Sequence, residues 1–345
     1  RSEPVRSWTP LGTVDSGVVA DVDGAGAVQP RGAGWHLDWW VGAEDRWHHP
    51  SREAAVRQRW VDDTPVVETA MRVPGGDVVH RAYGVRASSD GDGGAWDGAA
   101  VVVEVRNDTA VPVALAFAVR PTGLDGPGQP GAIEVDGAVV RVDGEVVAVL
   151  SKPPARLAHG SPGAVAGALA SGDDLEAAAL SVPADPGGEV ALVVPLPHSA
   201  TVRVLLPQPV ERPGRRPWRR ATRPAAPGSS WQAPDHQAVV RGWQAHTRDA
   251  ARVELPEPVL GSVLAASQRA LAVAAHDDLL GDRWAAAHGS TGADAAERAA
   301  WVSEVLARSG LVEPLGPIAL ALAGSQGLRG PVTVADRSDA TVALL

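Results

Sequence analysis

Residues 131–150 read GAIEVDGAVVRVDGEVVAVL, three short Val-rich runs separated by Asp136-Gly137 and Asp143-Gly144. Asp-Gly between alternating apolar runs is a strong hairpin signal, because both residues tolerate the positive φ that a tight two-residue turn demands. The stretch is therefore expected to close as a three-stranded antiparallel meander. Further strands are expected at 53–61, 66–73, 77–86, 100–106, 111–119, 189–196 and 200–206. Many short strands without interleaved helices point to a large antiparallel β-sandwich and not to a βαβ fold. Two Gly/Asp/Pro-rich stretches, 88–98 and 121–131, read as exposed loops between them.

The pattern changes after Pro207. PVERPGRRPWRRATRPAAPGSSW (209–231) carries six arginines amid prolines and can form neither a long helix nor a central strand. It reads as an interdomain linker. Helical spacing then takes over: 235–250 places Val239, Trp243 and His246 on one face, and 257–278 and 291–310 are amphipathic. The last of these is expected to stop at Gly310, with Arg308 in its final turn. Two more helices are expected at 312–325 and from 337 onward. The fold class is mainly β with a helical C-terminal part. It divides into a β-sandwich domain over 1–208, an Arg/Pro-rich linker and linker helix over 209–255, and a partial α/α domain over 256–345. The apolar end at DRSDATVALL and the small number of helices that fit before it read as a fragment of something longer.

Composition narrows the chemistry. A formal charge of −10 argues against nucleic acid as the main partner, since neutralising phosphates needs a basic face. No apolar run approaches the roughly 20 residues of a membrane-spanning helix. The chain has no cysteine, which excludes disulfides, thiolate metal sites and cysteine nucleophiles. No signal peptide is visible, which leans the location towards the cytoplasm without fixing it. There is no Ser-His-Asp set, phosphate loop or dinucleotide fingerprint, so no cofactor is expected.

WHLDWWVGAEDRWHHP (35–50) holds four of the twelve tryptophans and three of the ten histidines. As a strand, 35–41 puts Trp35, Leu37, Trp39 and Val41 on one face and His36, Asp38 and Trp40 on the other. The first face is core. The second has two readings. It is either covered by other parts of the protein, or it is a ligand platform in which Trp40 stacks on a sugar, Asp38 accepts a hydroxyl and His36 orients the carboxylate. On the platform reading, Trp40 is dispensable for folding. A metal site is not expected: His48 and His49 are adjacent and tend to diverge, and no H-E-x-x-H spacing occurs.

The order of parts resembles the six-hairpin glycosidases, glucoamylase-like enzymes that put a β-supersandwich and a linker helix before an (α/α)6 toroid. GWHLDWWVGAEDRWHHP, VVETAMRVPGGDVVHRAYGV and VVVEVRNDTAVPVALAFAVRP are similar to the sandwich of actinobacterial-type members. VVRGWQAHTRDAARVELPEPVLGSVLAASQRAL is similar to their linker helix and first toroid helix. The resemblance implies a carbohydrate-active protein with a glycan or oligosaccharide as partner. Where members carry W-x-R-D, this chain has DAAERAAWVSEVL (294–306), with Arg298 followed by Ala299. The resemblance puts the catalytic carboxylates on later loops, so Asp277, Asp278, Asp282, Glu297 and Glu304 receive no catalytic role and the catalytic residues stay unassigned. The alternative is a non-catalytic sandwich protein that binds carbohydrate or a partner, with oligomerisation through an exposed helical part.

Overall fold

The computed structural model describes residues 8–208 except 15, 92–93, 124–125, 128–131, 162, 173–174 and 178–187, then 230–275 except 252, 254 and 255, then 292–311 and 315. Strands are numbered in chain order. One nine-stranded sheet runs β1 (Trp8–Thr13), β2 (Gly17–Asp23), β3 (Val28–Pro30), β4 (His36–Gly42), β10 (Val113–Arg120), β18 (Glu189–Leu196), β16 (Arg156–Gly160) and β17 (Glu176–Ala177), with β5 (Trp47–His48) on β4. The other runs β13 (Ile133–Asp136), β14 (Val139–Val142), β15 (Glu145–Leu150), β19 (Thr201–Pro207), β9 (Gly94–Asn107), β8 (Gly76–Gly91), β7 (Val66–Val73) and β6 (Val56–Trp60), with β20 (Trp231–Gln232) on β8. A two-stranded ribbon, β11 (Thr122–Gly123) and β12 (Gly126–Pro127), completes the strands among the described residues. The two large antiparallel sheets form a sandwich, as the strand pattern predicts.

The meander forms over 133–150, with its second turn at Asp143-Gly144 as expected and its first one residue later than expected, at Gly137-Ala138, because Asp136 still pairs with Val139. Asp143 and Gly144 both take positive φ, at 53° and 78°, as a two-residue hairpin loop requires. Residues 88–98 depart from the expected loop. β8 and β9 pair through them in continuous register, Ser88 opposite Asp97 and Ser89 opposite Trp96, and Trp96 is buried. Gly and Asp weaken a strand, yet a paired neighbour on each side outweighs that preference: β20 adds to β8 here, with Trp231 opposite Ser89.

Trp39 of one sheet stacks on His80 of the other, ring centroids 5.2 Å apart, and this contact marks the inner faces. Period-two alternation then puts Leu37, Val41, Leu115, Phe117, Leu192 and Val194 inside from the first sheet. Val67, Met71, Ala82, Val103, Val105, Val202 and Val204 face them from the second. All of these are buried. A short helix, α1 (Ala164–Ser171), follows β16.

The chain falls into two compact units, the first holding Val19–Arg59 and Val66–His236, the second Pro10–Val18, Trp60–Pro65 and the helices from Gln237 on. The helices are α2 (His236–His246), α3 (Pro258–Ala275) and α4 (Gly292–Arg308). The core of the second unit is Trp243, Ala272, Val273, Leu306 and Leu311 with Val18; of the face expected of α2, Trp243 is buried and Val239 packs half-buried against that core, while Val240, beside that face, is buried as well. α4 ends as its sequence predicts. Gly310 takes φ 71° and the Leu311 amide bonds to the Leu306 carbonyl at 2.9 Å, closing the last turn. Val259, Leu260 and Val263 of α3 and Trp301 of α4 are each more than half exposed. No helix among the described residues is long and apolar enough to cross a membrane. The linker arginines, the expected helix at 312–325 apart from Leu315, and the one expected beyond 337 lie outside the described residues.

Candidate functional site

The three residues of the expected platform do share a face, and that face is covered. His36, Asp38 and Trp40 are all buried, Trp40 to 2% exposure. The reason lies in residues far along the chain. Opposite Trp40 and Asp38 the register places Ala116 and Ala118, and beyond them Ala191 and Ala158. Four alanines make a low floor, and α1 settles on it through Val165 and Leu169, against the side of Trp40. Two side chains hold the helix ends: Gly163 N–H donates to Glu189 Oε2 at 2.9 Å, and Trp47 Nε1–H donates to the Leu169 carbonyl at 2.8 Å. Trp40 therefore offers no open stacking surface and serves as packing; the expectation that it is dispensable for folding gives way to that burial.

The polar members of this face neutralise one another. Arg120, across from His36, reaches Asp38 Oδ2 at 3.2 Å and Glu189 Oε1 at 3.3 Å. Its guanidinium also lies 5.9 Å over the Trp40 ring. Asp38 Oδ1 accepts the Trp39 amide at 2.8 Å. His49 tilts onto Trp40 at 4.7 Å, and burial together with Arg52 holds its imidazole below the usual histidine range. His48 turns elsewhere, between Asp45 Oδ1 at 2.9 Å and Glu53 Oε1 at 3.2 Å. Arg46, by its hydrogen bond to Glu53, keeps that carboxyl below its ordinary range. Among the described residues no three His, Asp or Glu side chains converge as a metal site.

Sequence spacing misses a second network, on the outer face of the other sheet. Glu68 stands opposite Arg81, Arg81 opposite Glu104, and Glu104 opposite Arg203, so four adjacent strands carry alternating charge in one row. Arg59 extends the row, donating to Glu68 at 2.8 Å. Burial would raise the Glu68 pKa, but the Arg59 and Arg81 guanidiniums outweigh it and hold the carboxyl below its ordinary value. Tyr83 Oη–H donates to Glu104 at 3.3 Å, and burial with the Glu104 charge pushes its phenol well up. Arg203 lies 5.1 Å over Trp231 and donates to the Pro234 carbonyl at 2.8 Å; His236 Nδ1 sits 2.8 Å from Glu104. The row thus fastens the segment 231–236 to the sheet. Each member alternates correctly within its own strand, but only the register aligns them.

In the helical unit Gln244 is exposed, and Asp63, Thr247, Gln268 and Arg269 are half-buried. A cleft of about 470 Å³ is lined by Asp63 from the turn 60–65, Gln244 and Thr247 at the end of α2, and Gln268 and Arg269 of α3. Asp62 and Asp63 both take left-handed conformations, at φ 47° and 54°. Asp tolerates that region better than most residues, yet two in succession carry strain that the surroundings must hold. Thr64 closes the turn with its amide and hydroxyl on the Val61 carbonyl, and Arg269 donates to the Asp63 carbonyl. Arg269 also approaches Thr247 Oγ1 at 3.4 Å, and burial lowers its pKa. This turn is not among the elements expected from the sequence, and its local feature there is the Asp-Asp step of WVDDTP. Of the carboxylates singled out from the sequence, Asp277, Asp278, Asp282 and the Glu297 side chain lie outside the described residues, and Glu304 accepts from its helix neighbour Arg308 at 2.7 Å. Compared with known proteins, the chain matches no family model and no curated protein.

Proposed function

We propose that the chain is a carbohydrate-active protein with the architecture of the (α/α)6 glycoside hydrolases, and that the residues described bind saccharide without cleaving it. The carrying observation is the order and finish of the elements. A two-sheet sandwich is followed by α2, whose Trp243 anchors a helical core, and then by α3 and α4, whose outward rows include Val259, Leu260, Val263 and Trp301. Helices finished that way belong to a larger helical layer, because a lone surface helix keeps its outer face polar. Fold alone does not assign function. The glycan reading adds the family resemblance of the sandwich and linker-helix segments to that order.

The non-catalytic half of the reading follows from chemistry. Glycoside hydrolysis needs two carboxyl groups flanking one bond. Asp38 and Glu189 are both engaged by Arg120 under α1, and Asp63 is the one carboxylate among the described residues of the cleft. The test is to titrate the full chain with neutral gluco- and xylo-oligosaccharides by calorimetry while assaying release of reducing ends. Binding without release is expected. Absence of binding to every saccharide contradicts the carbohydrate reading, and turnover contradicts the non-catalytic half.

A further inference from the structure

We infer that the cleft formed by the turn 60–65, α2 and α3 is a binding site for a neutral saccharide unit, with Asp63 and Gln244 reading its hydroxyls and Arg269 positioning the turn. The inference rests on the carbohydrate reading above and locates it. At about 470 Å³ the cleft falls within the usual range for small-molecule sites, roughly 300–1,000 Å³. Its chemistry is that of a polyol. A carboxylate accepts two hydroxyl hydrogen bonds, and the Gln244 amide accepts at one end and donates at the other, which matches groups that are donor and acceptor at once; the Gln268 amide donates to Ser309 Oγ at 3.2 Å.

Charge selects within that class. Asp63 and Arg269 are the charged side chains among the described lining residues and are of opposite sign, so the cleft has no net charge to attract an ionic ligand. Arg269 is already committed to the Asp63 carbonyl and Thr247, which fits a positioning residue. Its hold on the strained Asp62-Asp63 step fixes where the Asp63 carboxylate stands. Strain of this kind concentrates where geometry serves a ligand.

The apolar lining supplies the second, independent observation. Val253 is 50% exposed and Leu264 37%, two of the large hydrophobic side chains that the protein leaves open, and both border this cleft. Beside Leu311 they offer the C–H faces of a sugar ring an apolar wall. A site with hydroxyl-matching groups on one side and open aliphatic side chains on the other is what a saccharide needs.

The experiment is calorimetric titration of the full chain with cellotriose, maltotriose, tri-galacturonate and tri-glycine. Wild type is compared with Asp63→Asn, Gln244→Ala and Arg308→Ala. Asparagine tolerates the left-handed turn, so Asp63→Asn removes the charge and keeps the backbone. Gln244 is exposed on α2, so its truncation keeps the test alive should Asp63→Asn misfold. The expected result is binding of a neutral trisaccharide, weakened at least tenfold in Asp63→Asn and Gln244→Ala and unchanged in Arg308→Ala, with tri-galacturonate at least tenfold weaker than the neutral probe. Wild-type affinity in folded cleft variants overturns the site and leaves the carbohydrate reading standing. No saccharide binding by wild type overturns both, and preference for tri-glycine overturns the ligand class.

Discussion

In the sandwich, Asp38, Glu189, Glu68 and Glu104 are buried and each meets an arginine; in the helical unit, Asp63 and Gln244 line an open cleft. The same contrast holds for apolar groups. Trp39 and Trp40 are sealed, whereas Val259, Val263 and Trp301 face outward. A buried carboxylate held by a guanidinium and a helix amide is spent on structure, because freeing it means breaking a desolvated ion pair at about 3–5 kcal/mol. Groups that are open and only partly paired can exchange water for a ligand at small cost.

The largest effects are expected at the tryptophans. With Trp39 at 1% and Trp40 at 2% exposure, either substitution to alanine should cost about 3–5 kcal/mol in urea unfolding, and neither should change saccharide affinity in protein that remains folded. A Trp40→Ala chain with wild-type stability and lost binding would return the ligand to the face beneath α1.

A second, pH-dependent effect belongs to the sandwich interior. Burial against Trp39 pulls the His80 pKa down from 6.5 to about 3. The unfolded chain therefore binds a proton that the folded chain excludes. The stability associated with neutral His80 is complete above about pH 6.5 and is lost as pH falls towards 3, by up to roughly 1.4 kcal/mol per pH unit. Thermal melts of His80→Leu should show a shallower decline between pH 6 and 4 than wild type. Parallel curves would show that His80 titrates normally. At the small end stands Arg308→Ala, which removes an exposed i,i+4 pair with Glu304 and should cost about 0.5 kcal/mol or less.

How far the sequence carries depends on separation along the chain. The meander at 131–150, the strand Val66–Val73 and the close of α4 at Gly310 are legible because hairpin turns, alternation and helix caps are local. The two faces of 35–41 are legible too, but what covers the second is not. AVAGALAS of α1 has no polar face to announce how it packs, and its supports, Glu189 and Trp47, lie on either side of it in the chain. The charged row Arg59–Glu68–Arg81–Glu104–Arg203 needs the register of its strands before it exists. The cleft gathers residues near 63, 244 and 268 through helix packing, with only the Asp-Asp turn to hint at one wall.

The central claim, that ligand chemistry sits in the cleft and not beneath α1, is tested most directly by amide hydrogen exchange of the full chain with and without a saturating neutral trisaccharide. Slowed exchange is expected at 61–64, 244–251 and 261–269, with α1 and β4 unchanged. Slowing confined to Ala164–Ser171 and His36–Gly42, with none around the cleft, would contradict it.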